Sequence, residues 1–146
     1  MQLKPKDDKH YPYAGDVTAV QCWEMLKSDK EAVLVDVRTK AEWNYVGFPD
    51  LSKISNSSLY ISWRLYPFMQ VNPDFNSELE TQLTNKHSPV FFICKSGGRS
   101  REAAIEMTSR GFEHCYNVAD GFEGILSSAG ESAVNGWKNI LPWKHI

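Results

Sequence analysis

The segment that most restricts how this chain can fold is Pro89-Val-Phe-Phe-Ile93, which runs without a break into Cys94-Lys-Ser-Gly-Gly-Arg-Ser100. A run of β-branched and aromatic residues, bounded by Pro on one side and Gly-Gly on the other, predicts a short strand buried on both faces. A helix is predicted directly after the loop. Ala103, Ala104 and Met107 supply its small apolar face, Glu102 suits its first turn, Arg110 its last, and Gly111 the left-handed residue that ends it. A strand that turns through glycines into a helix leaves successive N–H groups facing into the loop, because the first four helical amides lack an intrahelical acceptor. Such a loop is an anion cradle.

Cys94 stands at the centre of that cradle. Its sulfur is predicted to face the positive end of a helix dipole and a ring of amide donors, all of which favour thiolate over thiol. Gly97 and Gly98 permit the backbone angles and close approach that a tight ring demands. Arg99 is a permanent cation within the loop, and Lys95 and Arg101 add charge nearby. Arg101 in the first helical turn opposes the dipole, which hints that an anion is expected there; the bland alternative is a solvated surface charge. Cys22 and Cys115 lack that setting and are expected to be inert buried thiols.

The other segments repeat the alternation of short apolar strand and amphipathic helix. Thr18 and Gln21 form a capping box over a helix from about Ala19 to Lys27, and Ala32 to Val37 reads as a buried strand ending in Asp36. Thr39 and Glu42 make a second capping box over a brief helix. Leu59-Tyr-Ile61 is a weaker strand, Asn72-Pro73 opens a helix carrying Phe75, Leu79 and Leu83, and Cys115-Tyr-Asn-Val118 is a further strand. This order predicts an α/β domain, a small parallel β-sheet with helices on both faces, whose binding crevice lies at the carboxyl ends of the strands. Asp36, Arg38 and Cys94 all fall there.

Composition narrows the partners. With 146 residues the chain suits one domain, read as residues 15–146 behind a flexible tail of residues 1–14. Sixteen Lys plus Arg against eighteen Asp plus Glu give a net charge of −2, so binding of nucleic acid by bulk phosphate neutralisation is not expected. No stretch approaches a membrane span and the first ten residues lack the apolar core of a secretory signal. Three cysteines without close spacing, Cys22, Cys94 and Cys115, fit a reducing, cytoplasmic setting better than a disulfide framework. None of the four histidines, His10, His87, His114 and His145, shows metal-ligand spacing, and neither a metal nor another cofactor is expected.

At Asp36-Val37-Arg38, Glu42 and Cys94-x-x-Gly97-x-Arg99-Ser100 the chain resembles the single-domain rhodanese-like sulfurtransferases, and the likeness runs from about Gly15 to Trp143, including Gly136-Trp137 and Leu141-Pro142-Trp143. The resemblance implies that Cys94 accepts a sulfane sulfur as a persulfide and that the loop from Lys95 through Ser96, Gly97, Gly98 and Arg99 to Ser100 holds it. It also implies that Arg99 steers an anionic donor such as thiosulfate, with a thiol or small nucleophile, including a protein thiol, as acceptor. Asp36 and Arg38 would brace the strand end in an ion-pair network with Glu42, Arg38 also being available as a rim contact. Three departures stand out. Gly47-Phe-Pro-Asp50 lacks the histidine common in the family, Asp120-Gly121 replaces paired glycines, and Ile125 to Asn135 reads as an insertion.

Two other functions fit the same residues. Cysteine phosphatases and arsenate reductases of related fold need five residues between Cys and Arg to ring a tetrahedral oxyanion. Here the count is four, with Ser100 where that Arg would stand. A non-catalytic persulfide carrier or protein-interaction module is the second alternative, with Trp43, Trp63, Trp137 and Trp143 as docking surface unless they are core residues.

Overall fold

The computed structural model describes residues 12–124 and 135–145. In chain order the elements are β1 (Gly15–Val17), α1 (Ala19–Ser28), β2 (Val33–Asp36), α2 (Lys40–Tyr45), β3 (Phe48–Pro49), β4 (Ser57–Tyr60), β5 (Arg64–Leu65) and β6 (Gln70–Val71). They continue with α3 (Phe75–Gln82), β7 (Val90–Ile93), α4 (Gly98–Ser109), β8 (Cys115–Val118), α5 (Trp137–Ile140) and β9 (Trp143–Lys144).

Five strands form one parallel sheet in the order β1-β8-β7-β2-β4, with Val33 opposite Val90 and Val90 opposite Cys115. The side-chain period of two sorts each strand between two cores. Val33, Val35, Val90, Phe92 and Cys115 face α3 and α4, where Phe75, Leu79, Ala103, Ala104 and Met107 are buried. Leu34, Phe91, Ile93, Tyr116 and Val118 face α1 and α5, where Ala19, Cys22, Leu26 and Trp137 are buried. The α/β architecture with helices on both faces is therefore as the alternating pattern predicts. Because every central strand is parallel, Asp36, Cys94 and Val118 reach the same edge of the sheet.

Local differences have local causes. Tyr13 is buried and the Ala14 N–H donates to the Cys115 carbonyl at 2.8 Å, so the packed chain begins before residue 15; residues 1–11 lie outside the described region. Pro73 stands ahead of the α3 N-cap Asp74 instead of inside the first turn, since the Asn72 side chain accepts the Asp74 N–H in a turn of its own. Glu102 lies beyond the first turn of α4, where its carboxylate accepts from Trp63 Nε1 at 2.7 Å and from Arg64. The strand at Leu59 starts at Ser57, and the small pairings β3–β9 and β5–β6 were not visible in the pattern. The insertion read from Ile125 to Asn135 falls outside the described residues except for Asn135.

Candidate active site

The site is built where β7 hands over to α4. Gly97, the N-cap of α4, has φ +102, and a Cβ there would lie 2.3 Å from the Ala119 carbonyl oxygen. Only glycine fits both demands. From behind, the 119–124 segment holds the loop: the Phe122 N–H donates to the Cys94 carbonyl at 2.8 Å and the Glu123 N–H to the Lys95 carbonyl at 3.0 Å. Gly121, at φ +70, would bring a Cβ within 2.3 Å of the Lys95 oxygen, so Asp120-Gly121 also serves close packing against the loop.

Inside the loop the Cys94 sulfur accepts from the Gly97 N–H at 3.2 Å and from the Ser100 hydroxyl at 3.2 Å. Cys94 is only 1% exposed, so a reacting partner must enter narrowly. The other two thiols are different. Burial pushes Cys115 up to about 12 and Cys22 well above its ordinary value, which leaves both protonated at neutral pH.

Arg99 turns toward α2. Its guanidinium forms a two-point pair with Glu42, Nη1 to Oε1 at 2.7 Å and Nη2 to Oε2 at 2.9 Å. Glu42 is also the capping-box residue of α2, its Oε1 accepting from the Thr39 N–H and hydroxyl. Burial pushes the Glu42 carboxyl up, but the bonds from Arg99 and Thr39 and the Arg99 charge outweigh it and hold the group at about 2.

Arg38 is placed differently from the rim role. It is 0% exposed, pairs with Asp36 through Nη2 at 2.6 Å, donates to the Gly47 carbonyl at 2.8 Å and stacks over the Phe122 ring at 4.3 Å. The network splits in two, because Glu42 is used up by Arg99 while Asp36 alone meets Arg38. The Gly47 segment that lacks a histidine thus serves here as an acceptor for Arg38. Arg101 stands at the α4 start with its guanidinium 5.7 Å from the Tyr13 ring. Trp137 and Trp63 are core residues, whereas Trp143 is partly exposed, so the tryptophans do not share one surface.

Beside the loop opens a cleft of about 440 Å³, lined among others by Thr39, Glu42, Tyr45, Tyr66, Lys95 and Glu123. Lys95, which lines the cleft, and Ser96 and Gly98 of the loop are exposed, while Gly97 and Ser100 are buried. One contributor to the site escaped the sequence reading. Asn117 of β8 is buried and its Oδ1 accepts from the Ser100 hydroxyl at 2.6 Å. A lone amide in an otherwise apolar strand was the available signal. Among the described residues no helix is long and apolar enough to cross a membrane.

Comparison with known proteins agrees with this fold. The family described as "Rhodanese-like domain" matches residues 18–128. The uncharacterized protein RP600 homolog of Rickettsia rickettsii is 40% identical over 131 residues, 88% of this chain and 96% of that protein. Thiosulfate sulfurtransferase GlpE of Glaesserella parasuis is 30% identical over 113 residues, covering 77% of this chain and 87% of the relative. Among solved structures, Rv0390 from M. tuberculosis superposes with a TM-score of 0.82 at 44% identity, over 92% of this chain and 99% of that one.

Proposed function

The chain belongs to the rhodanese-like domain family, and from that footing we propose that it is a sulfurtransferase whose Cys94 carries a sulfane sulfur from an anionic donor such as thiosulfate to a nucleophilic acceptor. The thiolate attacks the outer sulfur of the donor. The donor S–S bond breaks, its electron pair leaves with sulfite, and a Cys94 S–S bond forms. The acceptor, a thiol or small nucleophile, then attacks the outer sulfur and the electron pair returns to Cys94. In the thiolate form of Cys94 neither step needs a general base.

One observation supports this reading above the rest: the Cys94 sulfur sits at the start of a twelve-residue helix with an N–H and a hydroxyl both 3.2 Å away. Negative sulfur, on Cys94 or one atom further out, is what such donors favour. Lys95, Ser96, Gly97, Gly98 and Ser100 form the loop that holds it. Arg99, fixed by Glu42, contributes a bound positive edge and no longer reads as a free arm. The ring is too short for a phosphate, and its Arg faces Glu42, which disfavours phosphatase or arsenate reductase chemistry. Three unbonded cysteines suit a cytoplasmic setting.

A carrier that passes its sulfur to a protein thiol is favoured by one feature, the neutralisation of Arg99, which weakens attraction for a small dianion. The two are separated by incubating the protein with thiosulfate and cyanide and measuring thiocyanate. Turnover that is abolished by Cys94→Ser and survives Cys22→Ser and Cys115→Ser supports the enzyme; sulfur loading without turnover supports the carrier. Absence of both overturns the sulfur-transfer reading.

A further inference from the structure

We propose that Asn117 is a positioning residue for the Cys94 thiol, acting through Ser100 by competing with the sulfur for a single hydroxyl proton. The inference rests on Cys94 being the reacting thiol and not on its donor or acceptor. The Ser100 oxygen stands 3.2 Å from Cys94 Sγ and 2.6 Å from Asn117 Oδ1, and both are placed to accept from it. A serine hydroxyl has one hydrogen to give.

Which end of the Asn117 amide faces Ser100 is fixed from the other side. Asp16, opposite Asn117 in the β1–β8 register, accepts from Asn117 Nδ2 at 3.1 Å and from the Tyr13 hydroxyl at 2.6 Å. A carboxylate accepts and does not donate, so the amide nitrogen must point to Asp16 and the oxygen to Ser100. Donation therefore runs from Ser100 through Asn117 to Asp16, which accepts from Tyr13 on its other side.

With Cys94 as a thiol every member is satisfied: S–H donates to the Ser100 oxygen and the hydroxyl donates to Asn117. With Cys94 ionised, the hydroxyl serves either the sulfur or Asn117, and the other loses a buried bond. Asn117 thereby opposes ionisation, against the Gly97 amide that favours it. The same switch lets the hydroxyl swing to the sulfur when negative charge develops. The other charged or titratable groups near this hydrogen-bonded chain on the surrounding elements are Asp36 at the end of β2 and Arg38 after it, Glu42 of α2, Lys95, Arg99, Arg101, Glu102 and Glu106 of the loop and α4, Cys115 and Tyr116 of β8, and Asp120 and Glu123 of the segment behind. A substitution at Asn117 leaves all of them in place.

The test is the rate of alkylation of the Cys94 peptide by iodoacetamide across pH, read by mass spectrometry. Asn117→Leu, which keeps the volume and removes the acceptor, is expected to move the pH midpoint down by roughly half to one unit. In a Ser100→Ala background the same change is expected to leave the midpoint where it was. Asn117→Val, a good strand former, repeats the measurement if the leucine variant does not fold. An unmoved midpoint in a folded variant, or an equal shift with and without Ser100, overturns the proposal. Loss of sulfur transfer with the Ser100-dependent shift intact would tell instead against the proposed function.

Discussion

Arg99 and Glu42, separated by 57 positions, meet as a two-point ion pair with both N···O distances below 3 Å, at 2.7 and 2.9 Å. The pair ties the first turn of α4 to α2 and so fixes one wall of the thiol loop. It also means that the most prominent cation of the loop arrives already neutralised. Anion binding at the sulfur then rests chiefly on main-chain and hydroxyl donors, whose dipoles are set by the fold.

The first prediction concerns acid. The Glu42 carboxyl is lowered in the folded protein from 4.5 to about 2, so its stabilisation is complete above pH 4.5 and disappears as the pH falls toward 2. That interval of about 2.5 units corresponds to on the order of 3 kcal/mol. Urea midpoints measured across this range should fall steeply. Glu42→Gln should be less stable at neutral pH and show a shallower fall; an equal slope in the variant would exclude Glu42 as the source.

A second prediction separates two neighbouring glycines. Gly97→Ala forces a left-handed alanine with its Cβ 2.3 Å from the Ala119 oxygen, whereas a Cβ on Gly98 meets nothing within 4 Å. Gly97→Ala should cost roughly 3 to 5 kcal/mol in thermal or urea unfolding. Gly98→Ala, at the first position of α4, should leave stability unchanged or raise it by about 0.5 kcal/mol. Equal effects at the two sites would contradict the loop geometry.

Arg38 supplies the third. With no exposed surface and its charge matched among the described residues only by Asp36, Arg38→Ala leaves an unpaired carboxylate in the interior and should cost about 3 to 5 kcal/mol. A rim role predicts the opposite pattern, near-normal stability with weakened donor binding. Denaturation midpoints beside KM for thiosulfate distinguish the two.

How much could be read without coordinates follows from the kind of information each feature needs. The strand Val90–Ile93, the capping boxes at Thr18 and Thr39 and the stop at Gly111 depend on local pattern and were legible. Cys94 and its glycines were legible for the same reason. The partner of Glu42 was not, because adjacency to Arg38 in sequence competes with a contact made across the fold by Arg99. Asn117 was missed since a strand pattern does not say which side chain of a neighbouring helix it faces. The two-residue strands β3 and β9 have too few positions to show any period.

The account turns on Cys94 taking up one sulfur atom. The most direct measurement is peptide mass spectrometry of the protein after incubation with thiosulfate and removal of excess donor, without any acceptor. The predicted result is one added sulfur on the peptide containing Cys94, lost on addition of cyanide, with the Cys22 and Cys115 peptides unchanged. An unmodified Cys94 peptide in folded protein, or sulfur distributed over all three thiols, would contradict it.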